Sequence, residues 1–445
     1  MKKMLVFFMA CALMVTIASS AFAEEKDAAK TYSGDFWTRS TLTGDWGGTR
    51  NEWAAKGITF DINLTQTGMS NITGGKKQGW EYSGRGDMVM NLDTGKMGLW
   101  PGGFFTVEVE GNYNRSINLD TGALMPVNTN QLFPTTGKDQ LNIPAVSFMQ
   151  FFSHYFGVLV GKVATITSNS GDMNEFAHGK GDTQFFNTAL NVNPALLLTV
   201  PYSTLAGGVV ILPTKDPKEA IITILALDGD GAANRSGFDT VFEGNTAYAI
   251  EGRMRTDFFG MTGHQLLGAT YSTKNFSSLD QSLRILIDTN TIKQEDNSWS
   301  LYYNFDQYIY EPKKGQGVGI FGRFGASDGD ANPIHYFYSI GVGGKGVIPK
   351  RKLDEFGAGF YYVEISNPTF TGLLENTRSF LRDEHGVEVY YNIALTPWMK
   401  LTPDLQVIRP AQQDVLQIDK EHLLLSKKKE VDTATVIGLR LQVVF

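Results

Sequence analysis

Apolar and polar positions alternate along many short stretches of this chain. Ile58, Phe60, Ile62 and Leu64 alternate with Thr59, Asp61, Asn63 and Thr65, and Phe105, Val107, Val109 and Tyr113 with Thr106, Glu108, Glu110, Asn112 and Asn114. Tyr248, Ile250, Met254 and Phe258 oppose Glu251, Arg253, Arg255 and Asp257; Trp299, Leu301, Tyr303 and Phe305 oppose Ser300, Tyr302, Asn304 and Asp306; Val387, Val389, Tyr391, Ile393 and Leu395 repeat the pattern. Successive side chains of a strand point to opposite faces, so each stretch predicts a two-faced strand. One such strand fits a soluble sandwich equally well. A long succession of them, punctuated only by turn clusters at Asn71 to Gly75, Asp228 to Gly231 and Asp328 to Pro333, predicts an all-β chain closed into a transmembrane antiparallel barrel.

The last stretch, from Val431 to Phe445, makes the lipid side explicit. Thr433, Thr435, Ile437, Leu439, Leu441, Val443 and Phe445 share one face, while the other carries Asp432, Arg440 and Gln442 among small or aliphatic residues. That is the pattern of lipid outside and a polar lumen inside, and a barrel's last strand must pair with an earlier one, so Phe445 is expected to be structural. At the other end, Lys2 and Lys3 precede an apolar run from Met4 to Ile17 and an Ala21-Phe22-Ala23 site, which predicts a cleaved secretory signal over residues 1–23. Cys11 sits too early in that run for a lipoprotein anchor. Residues 24–57 then form an N-terminal periplasmic segment, with a short helix over Thr49 to Lys56 closed by Gly57, and 58–445 the barrel. Trp53 on that helix is expected to pack on the barrel wall or plug one opening.

Composition sharpens this. The 445 residues include 48 Gly and 12% aromatics, with a mean hydropathy of −0.16. No apolar run of about 18 residues follows the signal, so no transmembrane helix is expected. Sharing 445 − 23 = 422 residues among about 16 strands leaves roughly 26 per strand with its connection, which suits short turns alternating with long loops. Removing the signal removes the only cysteine, excluding disulfides and thiolate chemistry, and leaves 37 basic against 46 acidic residues, a net charge of −9 that argues against a nucleic-acid partner. Two regions break the alternation, Arg115 to Ala145 and Ser168 to Pro201, and a long porin loop folded into the lumen narrows the pore.

Several strings carry a family resemblance. Leu42-Thr43-Gly44-Asp45-Trp46-Gly47-Gly48-Thr49-Arg50 with Lys56-Gly57-Ile58, then Gly84-Arg85-Gly86-Asp87, Thr183-Gln184-Phe185-Phe186-Asn187 and Asn193-Pro194 resemble the carbohydrate-selective porins (OprB-like). The match continues through Asp328-Gly329-Asp330-Ala331-Asn332-Pro333, Gly341-Val342-Gly343-Gly344 and the run from Thr396 to Gln406. The chain departs from the family at Ile348-Pro349-Lys350-Arg351-Lys352, where a basic stretch replaces a glycine- and proline-rich one. The resemblance implies a 16-stranded barrel in the outer membrane of a Gram-negative bacterium, surrounded by lipid and lipopolysaccharide, admitting monosaccharides such as glucose by passive diffusion. Oligomeric state stays open. A general or anion-preferring porin and, further off, an outer-membrane barrel hydrolase are the alternatives.

A sugar has many hydroxyls and no charge, so a selective lumen should offer paired donors and acceptors of both signs. The inward candidates for solute contact are Arg85, Glu108, Glu110, Glu251, Arg253, Arg255, Asp257 and Arg323, with Glu251 to Asp257 forming a ladder on one strand face. No enzyme activity, cofactor or metal is expected. Gly325-Ala326-Ser327-Asp328-Gly329 fits G-x-S-x-G, but a loop follows instead of a helix. Gly341 to Gly346 fits G-x-G-x-x-G without the helix that would cradle a phosphate. Asp228-Gly229-Asp230-Gly231 and Asp328-Gly329-Asp330 lack the closing Glu of a calcium loop and read as turns, which leaves calcium open without predicting it. The six histidines (154, 178, 264, 335, 385 and 422) show no metal-binding helical spacing and are expected in loops or at the interface, while Trp80, Trp100, Trp299 and Trp398 suit aromatic girdles, with core packing the competing explanation.

Overall fold

The computed structural model describes residues 32–132, 140–166, 174–241, 244–279, 293–366, 381–417 and 427–445. The expected signal, residues 1–23, lies outside them, as do Pro134 and His422. A short helix, α1 (Thr49–Ala55), precedes the first strand, and Gly57 just past its end adopts φ +82°, the left-handed conformation that closes a helix. Among the described residues twenty strands follow: β1 (Ile58–Thr73), β2 (Gly79–Asp93), β3 (Gly103–Asn114), β4 (Gln140–Phe151), β5 (Phe156–Ala164), β6 (Ser203–Ile211), β7 (Ala220–Asp228), β8 (Thr246–Thr256), β9 (Gly263–Ser272), β10 (Phe276–Ser277), β11 (Gln294–Glu295), β12 (Ser298–Lys313), β13 (Gln316–Ser327), β14 (Ile334–Lys345), β15 (Glu355–Ile365), β16 (Glu384–Thr396), β17 (Met399–Arg409), β18 (Asp414–Gln417), β19 (Lys427–Glu430) and β20 (Ala434–Val444).

Sixteen of these close a single antiparallel barrel in chain order, with β10–β11 and β18–β19 as small hairpins outside it. The seam joins last to first: Asn63 pairs with Val444 and Thr67 with Arg440. Closure leaves the sheet without an open edge, which is what lipid demands. Alternation sorts the faces as expected. Tyr336, Tyr338, Ile340 and Val342 of β14 are exposed on the outside, while Phe337 and Ser339 between them are buried within. The connections also alternate. At the end holding α1 the strands join tightly, as at Lys314-Gly315 between β12 and β13, and the long connections gather at the opposite end.

Two expectations need correction. The first break in the pattern ends earlier than Ala145, because β4 already begins at Gln140. Its alternation is disguised by a bulge: Glu108 pairs with Ala145 but Glu110 with Asn142, and Pro144, which cannot donate to a ladder, sits in the irregular step. Trp398 is not a girdle residue. It is buried, its indole N–H donating to the Phe36 carbonyl at 2.8 Å.

Candidate functional site

Two connections at the long-loop end fold into the lumen. Residues 115–132 contain α2 (Asn118–Thr121) and a single 3-10 turn at Thr129–Gln131; residues 174–202 contain α3 (Thr188–Asn191) and a 3-10 turn at Pro194–Leu196. The second segment seats its aromatic rings on a floor of inward glycines. A Cβ placed on Gly319 would stand 2.2 Å from the Phe176 ring, and one on Gly343 2.6 Å from Phe176 Cβ. Phe176 packs on Tyr308 and Phe185 on Tyr390, each with centroids 4.7 Å apart, so the lumen holds an apolar core of its own.

Charged wall residues grip the backbones of these segments. Arg323 donates to the carbonyls of Ala177, Leu190 (3.0 Å) and Asn191 (3.2 Å). Arg440 donates to those of Gly181 (2.6 Å) and Gln184 (2.8 Å), its guanidinium 4.2 Å from the Phe186 ring. Glu388 accepts the N–H groups of Phe186 and Asn187, and Glu384 those of Leu124, Met125 and Ala411. A loop inside a barrel must have its peptide groups paired, and these guanidinium and carboxyl groups supply the partners.

The segment is tied to β3 as well, across the barrel from Arg323 on β13. Lys180 lies between Gly179 and Gly181, both at positive φ, and its ammonium reaches Glu108 (2.5 Å), Glu110 (3.2 Å) and the Tyr202 hydroxyl (3.0 Å). Tyr202 donates to Glu110 at 2.6 Å, while Arg85 pairs with Glu110 and with Asp87 at 2.7 Å. Burial and the neighbouring Arg85 disfavour the ammonium, but Tyr202, Glu108 and Glu110 outweigh them and hold the Lys180 proton more tightly than in a free lysine. Burial likewise pushes the Tyr202 phenol up, keeping it a donor. The three carboxylates lie within 4.8 Å of one another, a spacing that would suit a cation, but Arg85 and Lys180 already pair with them. Asp87 is the member with a partly exposed side chain, so the cluster meets the remaining lumen there.

Of the expected residues, Arg85, Glu108 and Glu110 therefore come together, and the others do not join them. Glu251, Arg253 and Arg255 face inward on β8, but Arg253 donates to the Pro217 carbonyl (2.7 Å) and Arg255 pairs with Glu219 (2.6 Å), both in the tight β6–β7 turn, so they mark the short-turn mouth. Asp257 falls beyond the end of β8, at the start of a 3-10 turn, and meets Lys314 at 3.4 Å. Arg323 is fully buried beneath the second segment. Sequence reasoning missed Lys180, Tyr202, Glu384 and Glu388; the one legible signal was a lysine flanked by two glycines in a loop.

The remaining motifs resolve structurally. Ser327 ends β13 and donates to the Ile334 carbonyl at 2.6 Å, without a helix after it. Gly341 to Lys345 run along β14, and Asp328 closes a turn by accepting the N–H groups of Asp330, Ala331 and Asn332. Asp230 pairs with Lys274 at 2.6 Å. His264, expected in a loop or at the interface, instead sits buried on the inner face of β9 with its Nδ1 3.0 Å from Asp306.

A family model described as carbohydrate-selective porin, OprB family, matches residues 77–445. Porin AaxA of Chlamydia pneumoniae is 28% identical over 131 residues, 28% of this chain and 27% of that protein. Porin B of Pseudomonas aeruginosa is 24% identical over 151 residues, 29% of this chain and 28% of that protein. The chain thus matches only about a quarter of the length of these curated relatives. A high-pH structure of Pseudomonas putida OprB superposes with a TM-score of 0.75 at 20% identity, covering 93% of this chain and all of that one. Its low-pH structure gives 0.54 at 16% identity, over 92% and 99%. At such identities the likeness concerns the fold alone.

Proposed function

Because the chain belongs to the carbohydrate-selective porin family, OprB, and forms an outer-membrane barrel, we propose that it lets carbohydrates, monosaccharides such as glucose among them, diffuse passively and saturably into the periplasm. One observation carries this reading: a segment stapled across the lumen between Arg323 on β13 and Glu108 and Glu110 on β3, with Arg440 of β20 gripping it between them, so that Asp87 is the member of the cluster left partly exposed. Paired donors and acceptors there can exchange hydrogen bonds with sugar hydroxyls while presenting little net field. Affinity at such a point must be modest, since a solute has to leave as well as enter.

Charge weighs against an anion-preferring pore. Asp87, Glu108 and Glu110 face Arg85 and Lys180, three acidic groups against two basic, so the one excess acidic group favours no anion there. A hydrolase lacks support, since Ser327 is committed to the Ile334 carbonyl. Planar-bilayer recordings test the proposal. Single-channel steps that glucose blocks saturably, with a disaccharide blocking more weakly, are expected, and Asp87→Ala should weaken the block. Steps indifferent to every sugar would leave a general porin; a reversal potential favouring chloride would overturn the charge argument.

A further inference from the structure

The lipid-facing wall is covered at one place. On β20 Ile437 is 45% exposed, yet Leu441 and Val443 on the same face are only 3% and 9% exposed, and their partners Leu401 and Met399 on β17 are equally hidden. The N-terminal segment accounts for this. Leu42 packs against the cluster that these four form with Trp398, and its N–H donates to the Val444 carbonyl at 2.7 Å, while the Phe36 ring lies 5.0 Å from that of Trp398. Residues 36–56 thus lie outside the barrel, across the seam, at the short-turn end. Arg50 fastens them there, donating to the carbonyls of Phe445 and Phe60 at 2.8 Å each.

The outward side of this collar is unusual for an element facing water. Trp46, Trp53 and Phe36 are each about two-fifths exposed. The two indoles stand 6.2 Å apart and both rest on Phe60, whose side chain belongs to the lipid-facing side of β1. Neither indole N–H has a hydrogen-bond partner among the described residues. Exposed Glu52 and Lys56 flank them. A flat aromatic body with one polar N–H is most stable where acyl chains meet headgroups.

We propose that this collar is a lipid-binding surface: residues 36–56 lie in the headgroup boundary of the phospholipid monolayer on the short-turn side, with Trp46 and Trp53 inserted beside Phe60. The occupant is phospholipid rather than a second copy, because the patch continues the lipid-facing wall directly and is interrupted by charges that a dry protein interface would have to desolvate. The collar then fixes the depth of the barrel in the membrane and shields the seam where last and first strands meet.

The test uses the full-length protein reconstituted in liposomes containing phosphatidylcholine brominated either near the headgroup or near the chain ends. The emission lost between the wild type and the W46F/W53F variant isolates the two indoles. That component should be quenched by the shallow bromines more than by the deep ones and be largely shielded from iodide. Quenching by iodide but by neither lipid would place the collar in water, and shielding from all three would place it against protein; either result overturns the proposal. If the double variant fails to show the heat-modifiable migration of a folded barrel, W46F and W53F separately leave one ring each to read in the same way.

Discussion

Replacing Lys180 by methionine should loosen the segment that crosses the lumen while leaving the barrel intact. Glu108 has Lys180 as its hydrogen-bond partner, whereas Glu110 keeps Arg85 and Tyr202. Breaking a buried ion pair by removing one member costs 3–5 kcal/mol because the survivor is stranded; Glu108 can relieve part of that by taking up a proton, so the low end, about 3 kcal/mol, is expected. That shifts the balance between seated and unseated segment roughly 100-fold. The wall strands do not depend on the pair, so heat-modifiable migration should be unchanged. In planar bilayers K180M should show larger open-channel noise and weaker sugar block. Adding Glu108→Gln should recover much of the lost quiet and block, because both partners of the pair are then gone. A K180M channel as quiet and as strongly blocked as the wild type would refute the idea that this staple holds the constriction.

Gly343→Val drives a branched side chain into Phe176, so the second segment should unseat at a cost of about 1–3 kcal/mol, read as faster proteolysis within residues 174–202; Gly207→Ala, where a new Cβ meets nothing within 4 Å, should change nothing. Arg50→Met removes two charged hydrogen bonds across the seam and should lower the unfolding temperature in detergent, with an expected loss of roughly 1.5–3 kcal/mol per bond at most. Burial pushes the Asp328 carboxyl up, but bonds from Ser298 and from the amides of Ala331, Asn332 and Trp299 outweigh it and hold the group below its ordinary value. Its contribution to ordering the β13–β14 turn is therefore full above about pH 4 and lost as pH falls through the depressed native value. Amide exchange at Ala331 and Asn332, compared with D328N at each pH, should show protection that fades on acidification in the wild type and is already reduced in the variant.

Much of the wall was legible residue by residue. The faces of β1, β3, β16 and β20 alternate as their sequences do, since lipid on one side and a polar interior on the other impose a period of two that no other solvent arrangement sustains for so long. Where a local irregularity intervened, legibility failed: Pro144 hid the start of β4 by sitting in a bulge. The helix at Thr49–Ala55 could be anticipated, and Trp53 does pack on the wall, at Phe60.

The site was half legible for a different reason. Arg85, Glu108 and Glu110 could be placed facing inward because they lie on strands whose period fixes direction. Lys180 and Tyr202, which complete their cluster, lie in a segment without periodicity, and only the folding of residues 174–202 across the lumen brings them within 3.2 Å of Glu110. The same distinction explains Arg323. Its strand position predicted an inward side chain correctly, but whether an inward charge meets solute or a peptide carbonyl depends on what else occupies the lumen. The sequence by itself determined the barrel, its handling of lipid and lumen, and the family, because these follow from local alternation and contiguous strings. Which inward charges border the passage was decided by tertiary structure alone, through the docking of an irregular loop on inner-wall glycines whose fit no local pattern encodes.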